Sequence, residues 1–135
     1  MKFSTKTTYG LRALMFLAKQ PKQQLTPLSV IARQEKISLK YLEIIFAQLK
    51  QAGLVKSVQG ATGGYILAQP LNQITTYDII KVLEKDLVIF HCLDAQGELH
   101  CNHHCHCGVN LIFPQVQQAI VKTLKQLKLN QLVKQ

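Results

Sequence analysis

Outside one window of seventeen residues this chain has no cysteine and no histidine. Acids are scarce too: the first sixty residues hold only Glu35 and Glu43, against ten Lys or Arg. No apolar run approaches the roughly 18 residues of a membrane-spanning helix. The stretch from Leu11 to Ala18 is short, is interrupted by Arg12 and lacks a small-residue cleavage site, so no secretory signal is expected. No long polar or Pro/Gly-rich tract suggests disorder. No nucleophile–base pairing or carboxylate dyad is discernible, and Gly60 to Gly64 lacks the lysine of a phosphate-binding loop. The expectation is a non-enzymatic cytoplasmic protein without a membrane partner, whose thiols stay reduced.

What the rest of the chain lacks is concentrated between His91 and Cys107. Cys92, Cys101, Cys105 and Cys107 are interleaved there with His91, His100, His103, His104 and His106. Thiolate and imidazole are the side chains that bind transition metals best. Cysteines used only for packing would be scattered over several apolar faces. The segment also holds Asp94, Gly97, Glu98 and Asn102, so it reads as a polar loop. A metal or iron–sulfur site is the leading reading. A redox-active thiol cluster, a disulfide and a plain surface loop are the alternatives, and the histidine density favours zinc.

The charge is asymmetric. Residues 1–60 carry a local balance of +8 within a net charge of +9. A basic half on a nearly neutral remainder is the pattern of a polyanion-binding face.

At 135 residues the chain is one domain with, at most, an appended element for self-association. Thr7 or Thr8 can cap a first helix, ending before Pro21, whose apolar positions wrap broadly. Thr26 is expected to cap a short helix with Pro27 in its first position. After a turn at Glu35–Ile37, Ser38 caps a longer helix with Leu42, Ile45, Phe46 and Leu49 at helical spacing, ended by Gly53. That is a helix-turn-helix. The period then changes to two: Leu54, Val55, Ser57 and Val58, a glycine-rich turn, and a return strand from Tyr65 to Ala68 form a wing. Thr75 or Thr76 caps a further helix. A last helix from about Val109 to Leu129 carries Val109, Ile112, Phe113, Val116, Ile120, Leu124 and Leu127 on one face. Packing within the monomer would explain this stripe, but a dimer seam is preferred because the winged module already uses its own apolar faces. The expected fold is mainly α with a small β-wing. Its divisions are a winged helix-turn-helix domain (1–83), a Cys/His-rich loop (84–108) and a dimerisation helix with tail (109–135).

Recognition helices offer their first turns to the major groove. Here Lys40 can reach phosphate or guanine, Ser38 or Tyr41 phosphate, and Glu43 can accept from cytosine N4. Glu43 can equally face solvent, or pair with Lys40 along the helix. Lys2, Ser4, Thr5, Lys6, Tyr9, Arg12 and Lys56 are candidate phosphate contacts. Gly60, Gly63 and Gly64 let the wing backbone approach the minor groove.

Several segments resemble one family. Ser38-Leu39-Lys40-Tyr41-Leu42-Glu43, Leu49 through Val55, Gly60 through Tyr65, the opening Met1 through Lys6 with Tyr9, and Thr76-Tyr77-Asp78-Ile79-Ile80 are similar to the signature of the Rrf-type winged-helix regulators, the IscR/NsrR/RirA-like family. The resemblance spans essentially the whole chain. It implies a homodimeric repressor or dual regulator that binds a pseudo-palindromic operator in double-stranded DNA and often holds an iron–sulfur cluster (2Fe–2S or 4Fe–4S) near the base of the dimer helix. It also implies Cys92, Cys101 and Cys107 as ligands, with Cys105, His103, His104 or His106 as extra or fourth ligand. Two departures stand out: Asn110 occupies the place of a histidine ligand, and Gln59 stands where the wing commonly starts with arginine. An electron carrier with no DNA role is the reading from another class, and the basic helix-turn-helix argues against it.

Overall fold

The computed structural model describes residues 2–101 and 107–134. Its elements in chain order are α1 (Thr5–Ala18), α2 (Leu28–Glu35), α3 (Leu39–Gln51), β1 (Val55–Val58), β2 (Gly64–Leu67), α4 (Thr76–Glu84), α5 (Val109–Gln126) and α6 (Leu129–Leu132).

Helix α1 is the hub, packing against α2, α3, α4, α6 and β2. It buries Ala13, Leu14 and Leu17, while Tyr9, Leu11, Phe16 and Ala18 pack around the edge of the core. Gly10 lets α4 approach closely, since a Cβ there would lie 2.3 Å from the Leu83 side chain. The cap of α1 is Ser4 and not Thr7 or Thr8: its hydroxyl accepts from the Thr7 N–H. Thr7 is buried instead, its hydroxyl donating to the Glu84 carboxylate at the end of α4.

Helices α2 and α3 form the helix-turn-helix. Pro27 stands at the cap position of α2 with no side-chain cap bond. Thr26 does not cap; it bridges to Tyr65, its N–H donating to the Tyr65 carbonyl at 3.0 Å and its carbonyl accepting at 2.9 Å. The turn passes through Lys36 in the left-handed region (φ 54°) and sinks Ile37 into the core. Ser38 caps α3 as expected, and Leu42, Ile45, Phe46 and Leu49 are fully buried. Strands β1 and β2 pair antiparallel, Val55 opposite Leu67 and Val58 opposite Gly64. Thr75 and Asp78 form a reciprocal capping box on α4.

The last helix is shorter than its apolar pattern suggested. Helix α5 stops at Gln126, and Leu127 is extended. Lys128 bridges to Thr75, and Leu129 donates to the Ile74 carbonyl at 2.9 Å. Leu129 then fills the core beside α1, fully buried. Pro114 is the sixth helical residue, so it lies in the second turn and leaves the Asn110 carbonyl without its usual donor. Only Gln117 of α5 is buried; Leu111, Ile112 and Val116 are 72%, 57% and 38% exposed.

Candidate nucleic-acid interface and thiol loop

By turning Leu42, Ile45, Phe46 and Leu49 inward, α3 leaves Lys40, Glu43, Ile44 and Ala47 on the outer face. The ion pair that the Lys40–Glu43 spacing allows is not formed: among the described residues the ion pair is Arg12–Glu35. Both charged groups therefore remain available to an outside partner. Ile44, 50% exposed on this face, was not singled out from the sequence; Leu39, in the first turn that the sequence reading assigned to the groove, is 42% exposed. Apolar side chains on a recognition face suit thymine methyl groups. The signal was present, since Ile44 is apolar yet falls off the buried stripe.

Three contacts fix the pose of α3. The Tyr41 ring meets Tyr9 of α1 edge-on at 5.8 Å, Phe46 meets Tyr65 of the wing at 4.9 Å, and Lys50 Nζ donates to Ser57 Oγ at 2.6 Å. Helix and wing are thus held as one surface.

The N-terminal candidates divide. Lys2 and Thr5 are exposed, and Lys6 and Tyr9 half-buried. Ser4 is occupied internally, its N–H and hydroxyl donating to Glu84 Oε1 at 2.7 and 2.8 Å. Arg12 is occupied as well: its Nε–H donates to Glu35 Oε2 at 3.1 Å, its Nη2 to the Glu35 carbonyl, and its guanidinium lies 5.7 Å from the Tyr9 ring centre. Arg12 therefore straps α1 to the end of α2. Burial alone would raise the Glu84 carboxyl, but hydrogen bonds from Thr7 and Ser4, with the nearby Lys6 charge, outweigh it and hold it below the ordinary carboxylate value.

In the wing, Lys56 is exposed and Gly60 adopts φ 115°, a region that side chains disfavour. Gly63 and Gly64 have local duties. A Cβ on Gly63 would come within 2.1 Å of the Val58 carbonyl, and one on Gly64 within 2.6 Å of the Thr26 backbone.

The cysteine loop is more ordered than a polar loop. Leu93 bridges to Leu99, Asp94 N–H donates to the Glu98 carbonyl at 2.8 Å, and His100 N–H donates to the Cys92 carbonyl at 2.8 Å. This miniature hairpin brings Cys92 and Cys101 to its open base, both half-buried, while Cys107 is exposed just before α5. Leu93 is buried. Two contacts tie the segment to α5: Phe90 stacks on Phe113 at 4.0 Å, and the buried Gln117 amide accepts from Ile89 N–H at 3.2 Å and donates to the Leu87 carbonyl. The donor chemistry of three thiols suits iron–sulfur or zinc binding. Among the described residues, however, no three His, Cys, Asp or Glu side chains gather as a metal site. His103, His104, Cys105 and His106 lie outside the described residues.

A helix-turn-helix with a wing, an exposed outer face on its second helix and a C-terminal helix packed on α4 with its apolar stripe outside the core defines a winged-helix transcriptional regulator. The family model for Rrf2, described as an iron-dependent transcriptional regulator, matches residues 3–135, and the chain belongs to that family. It is 48% identical over 84 residues to the regulator CymR of Bacillus subtilis strain 168, spanning 62% of this chain and 61% of that one. The solved structure of CymR, the global cysteine regulator of B. subtilis, matches with TM-score 0.83 at 32% identity, over 99% of this chain and 97% of that one. The oxidized form of Staphylococcus aureus CymR matches with TM-score 0.79 at 31% identity, covering 100% and 98%. T. potens IscR matches with TM-score 0.77 at 33% identity, covering 99% and 87%. The chain is a DNA-binding transcriptional regulator of the CymR and IscR kind, and its homologues are regulators, not enzymes.

Proposed function

We propose that this chain acts in the cytoplasm as a homodimeric repressor or dual regulator on a pseudo-palindromic operator, and that it reads the state of Cys92, Cys101 and Cys107. The observation that carries the reading is the pairing of two free faces: Lys40, Glu43 and Ile44 on α3, and the apolar stripe of α5. A second copy covering that stripe would set two recognition helices about one helical turn of DNA apart, roughly 34 Å. Lys2, Thr5, Lys6 and Lys56 would hold phosphates, Lys40 and Glu43 would read bases, and the Gly60 turn would carry the wing backbone toward the minor groove.

Cys92, Cys101 and Cys107 would hold an iron–sulfur cluster, with a fourth ligand from Cys105, His103, His104 or His106. A bound cluster supplies one-electron chemistry and a dependence on iron. The chain's own contribution is mechanical: the hairpin base presents two of the thiols, while Phe113 and Gln117 couple any reordering of the loop to α5. A second reading, metal-free thiol sensing, is favoured by the absence of a gathered three-donor site among the described residues and by the likeness to CymR. Zinc is the third occupant, suited to the histidines.

Anaerobic purification with absorbance and metal analysis separates these readings. A cluster gives coloured protein whose visible absorbance disappears in Cys92→Ala, Cys101→Ala and Cys107→Ala and largely survives Cys105→Ala. Colourless protein with stoichiometric zinc replaces the cluster. Metal-free protein whose DNA binding changes on oxidation and is insensitive to oxidant in the cysteine variants supports the thiol switch. Metal-free protein with unchanged DNA binding in all four variants ends the sensor idea.

A further inference from the structure

We propose that the cleft between α4 and α5 binds a small polyanion, a di- or tricarboxylate or a phosphate ester, in contact with the turn of the thiol loop. The cleft holds about 660 Å³, within the roughly 300–1,000 Å³ common for small-molecule sites. Lys81 and Lys85 line it from the end of α4 and Lys122 and Lys125 from α5, against the lone carboxylate of Asp86. None of these lysines is ion-paired among the described residues. Four ammonium groups around one cavity repel one another, and an anion of two or three charges removes that repulsion.

Tyr77 supplies an independent observation. Its ring lies 4.9 Å from Lys125 Nζ and 5.8 Å from Lys81 Nζ. Two flexible side chains from different helices are therefore gathered on one ring before a ligand arrives, which lowers the ordering cost of binding. Lysines near helix C-termini also complement helix dipoles. That explains neither the shared ring nor Lys122, which lies further up α5.

The remaining wall is the turn at Ala95–Gly97. It is held by the Asp94 carboxylate, which accepts from the N–H groups of Gln96 and Glu98 at 2.9 Å each. Cys92 and Cys101 flank this hairpin in the chain, so an anion seated here would bridge α4, α5 and the thiol loop. At about 100° per residue, Val121 and Lys125 lie roughly 140–180° around α5 from Val116. The cleft thus stays open when the stripe of Ile112, Val116 and Ile120 is covered.

The test is calorimetric titration of the full chain with citrate and with inorganic pyrophosphate, at constant ionic strength set with chloride. We expect saturable binding of at least one anion, weakened tenfold or more in Lys81→Gln/Lys125→Gln and unchanged in Lys40→Gln. Citrate alone binding identifies a carboxylate site, and pyrophosphate alone a phosphate site. Amide resonances of Gln96 and Gly97 should shift on addition in the unmodified protein, a readout independent of how the double variant folds. Binding lost in Lys40→Gln but kept in the double variant would place the anion on the DNA face and overturn the proposal. No saturable binding of either anion would overturn it as well.

Discussion

The hydroxyl of Thr7 donates to the carboxylate of Glu84, seventy-seven residues further along the chain. The same oxygen accepts from the backbone N–H and hydroxyl of Ser4, the cap of α1. One acidic group at the end of α4 therefore satisfies the start of α1, whose first turn has no acid of its own. It does so at the point where the chain leaves the winged domain for the thiol loop.

That cluster makes stability depend on acid pH. The folded carboxyl of Glu84 sits below its ordinary value, so the unfolded chain takes up a proton first as pH falls. The contribution is fully present above the ordinary carboxylate range and is lost as pH drops through the depressed folded value. Glu84→Gln should lower the melting temperature at neutral pH, and its deficit should shrink in acid. A deficit constant with pH would assign the loss to packing and not to charge.

On α3, Lys40 and Glu43 should separate by readout. Removing Lys40 should cost about 1–3 kcal/mol of operator affinity if it contacts a base. Glu43→Ala should change base preference at one position of each half-site, measured by binding to a set of singly substituted operators. Uniform weakening on every sequence after Glu43→Ala would deny it a base-reading role.

Gly64→Ala tests the wing. Its new Cβ would meet the Thr26 backbone at 2.6 Å, and backbone cannot yield as a side chain can. Forced repacking of this kind costs about 1–3 kcal/mol, read by denaturant unfolding. Gly53→Ala meets nothing within 4 Å and pays only for its φ of 74°. A smaller loss at Gly64 than at Gly53 would contradict the close approach.

Ile112→Lys addresses assembly without disturbing the monomer, since Ile112 is already 57% exposed. A buried unpaired charge at a seam is strongly unfavourable. Sedimentation should show monomers, with operator affinity collapsing as the two half-sites become unlinked. A variant that stays dimeric places the seam elsewhere.

The sequence by itself determined whatever rests on local physics. Ser38 and Thr75 cap their helices because each bonds an N–H three residues on, and the buried stripe of α3 follows from helical period. The two-residue period of the wing and the clustering of thiols are local as well. Tertiary structure decided the rest. Thr7, Ser4 and Thr26 all look like caps or surface hydroxyls in sequence, and only Ser4 caps. Thr7 is claimed by Glu84 and Thr26 by Tyr65, partners that no local window contains. The last helix was expected to run on to about Leu129 because periodicity cannot tell one helix from two. The break at Leu127 comes from bonds to Ile74 and Thr76, which draw Leu129 into the core and leave the stripe of α5 outside it.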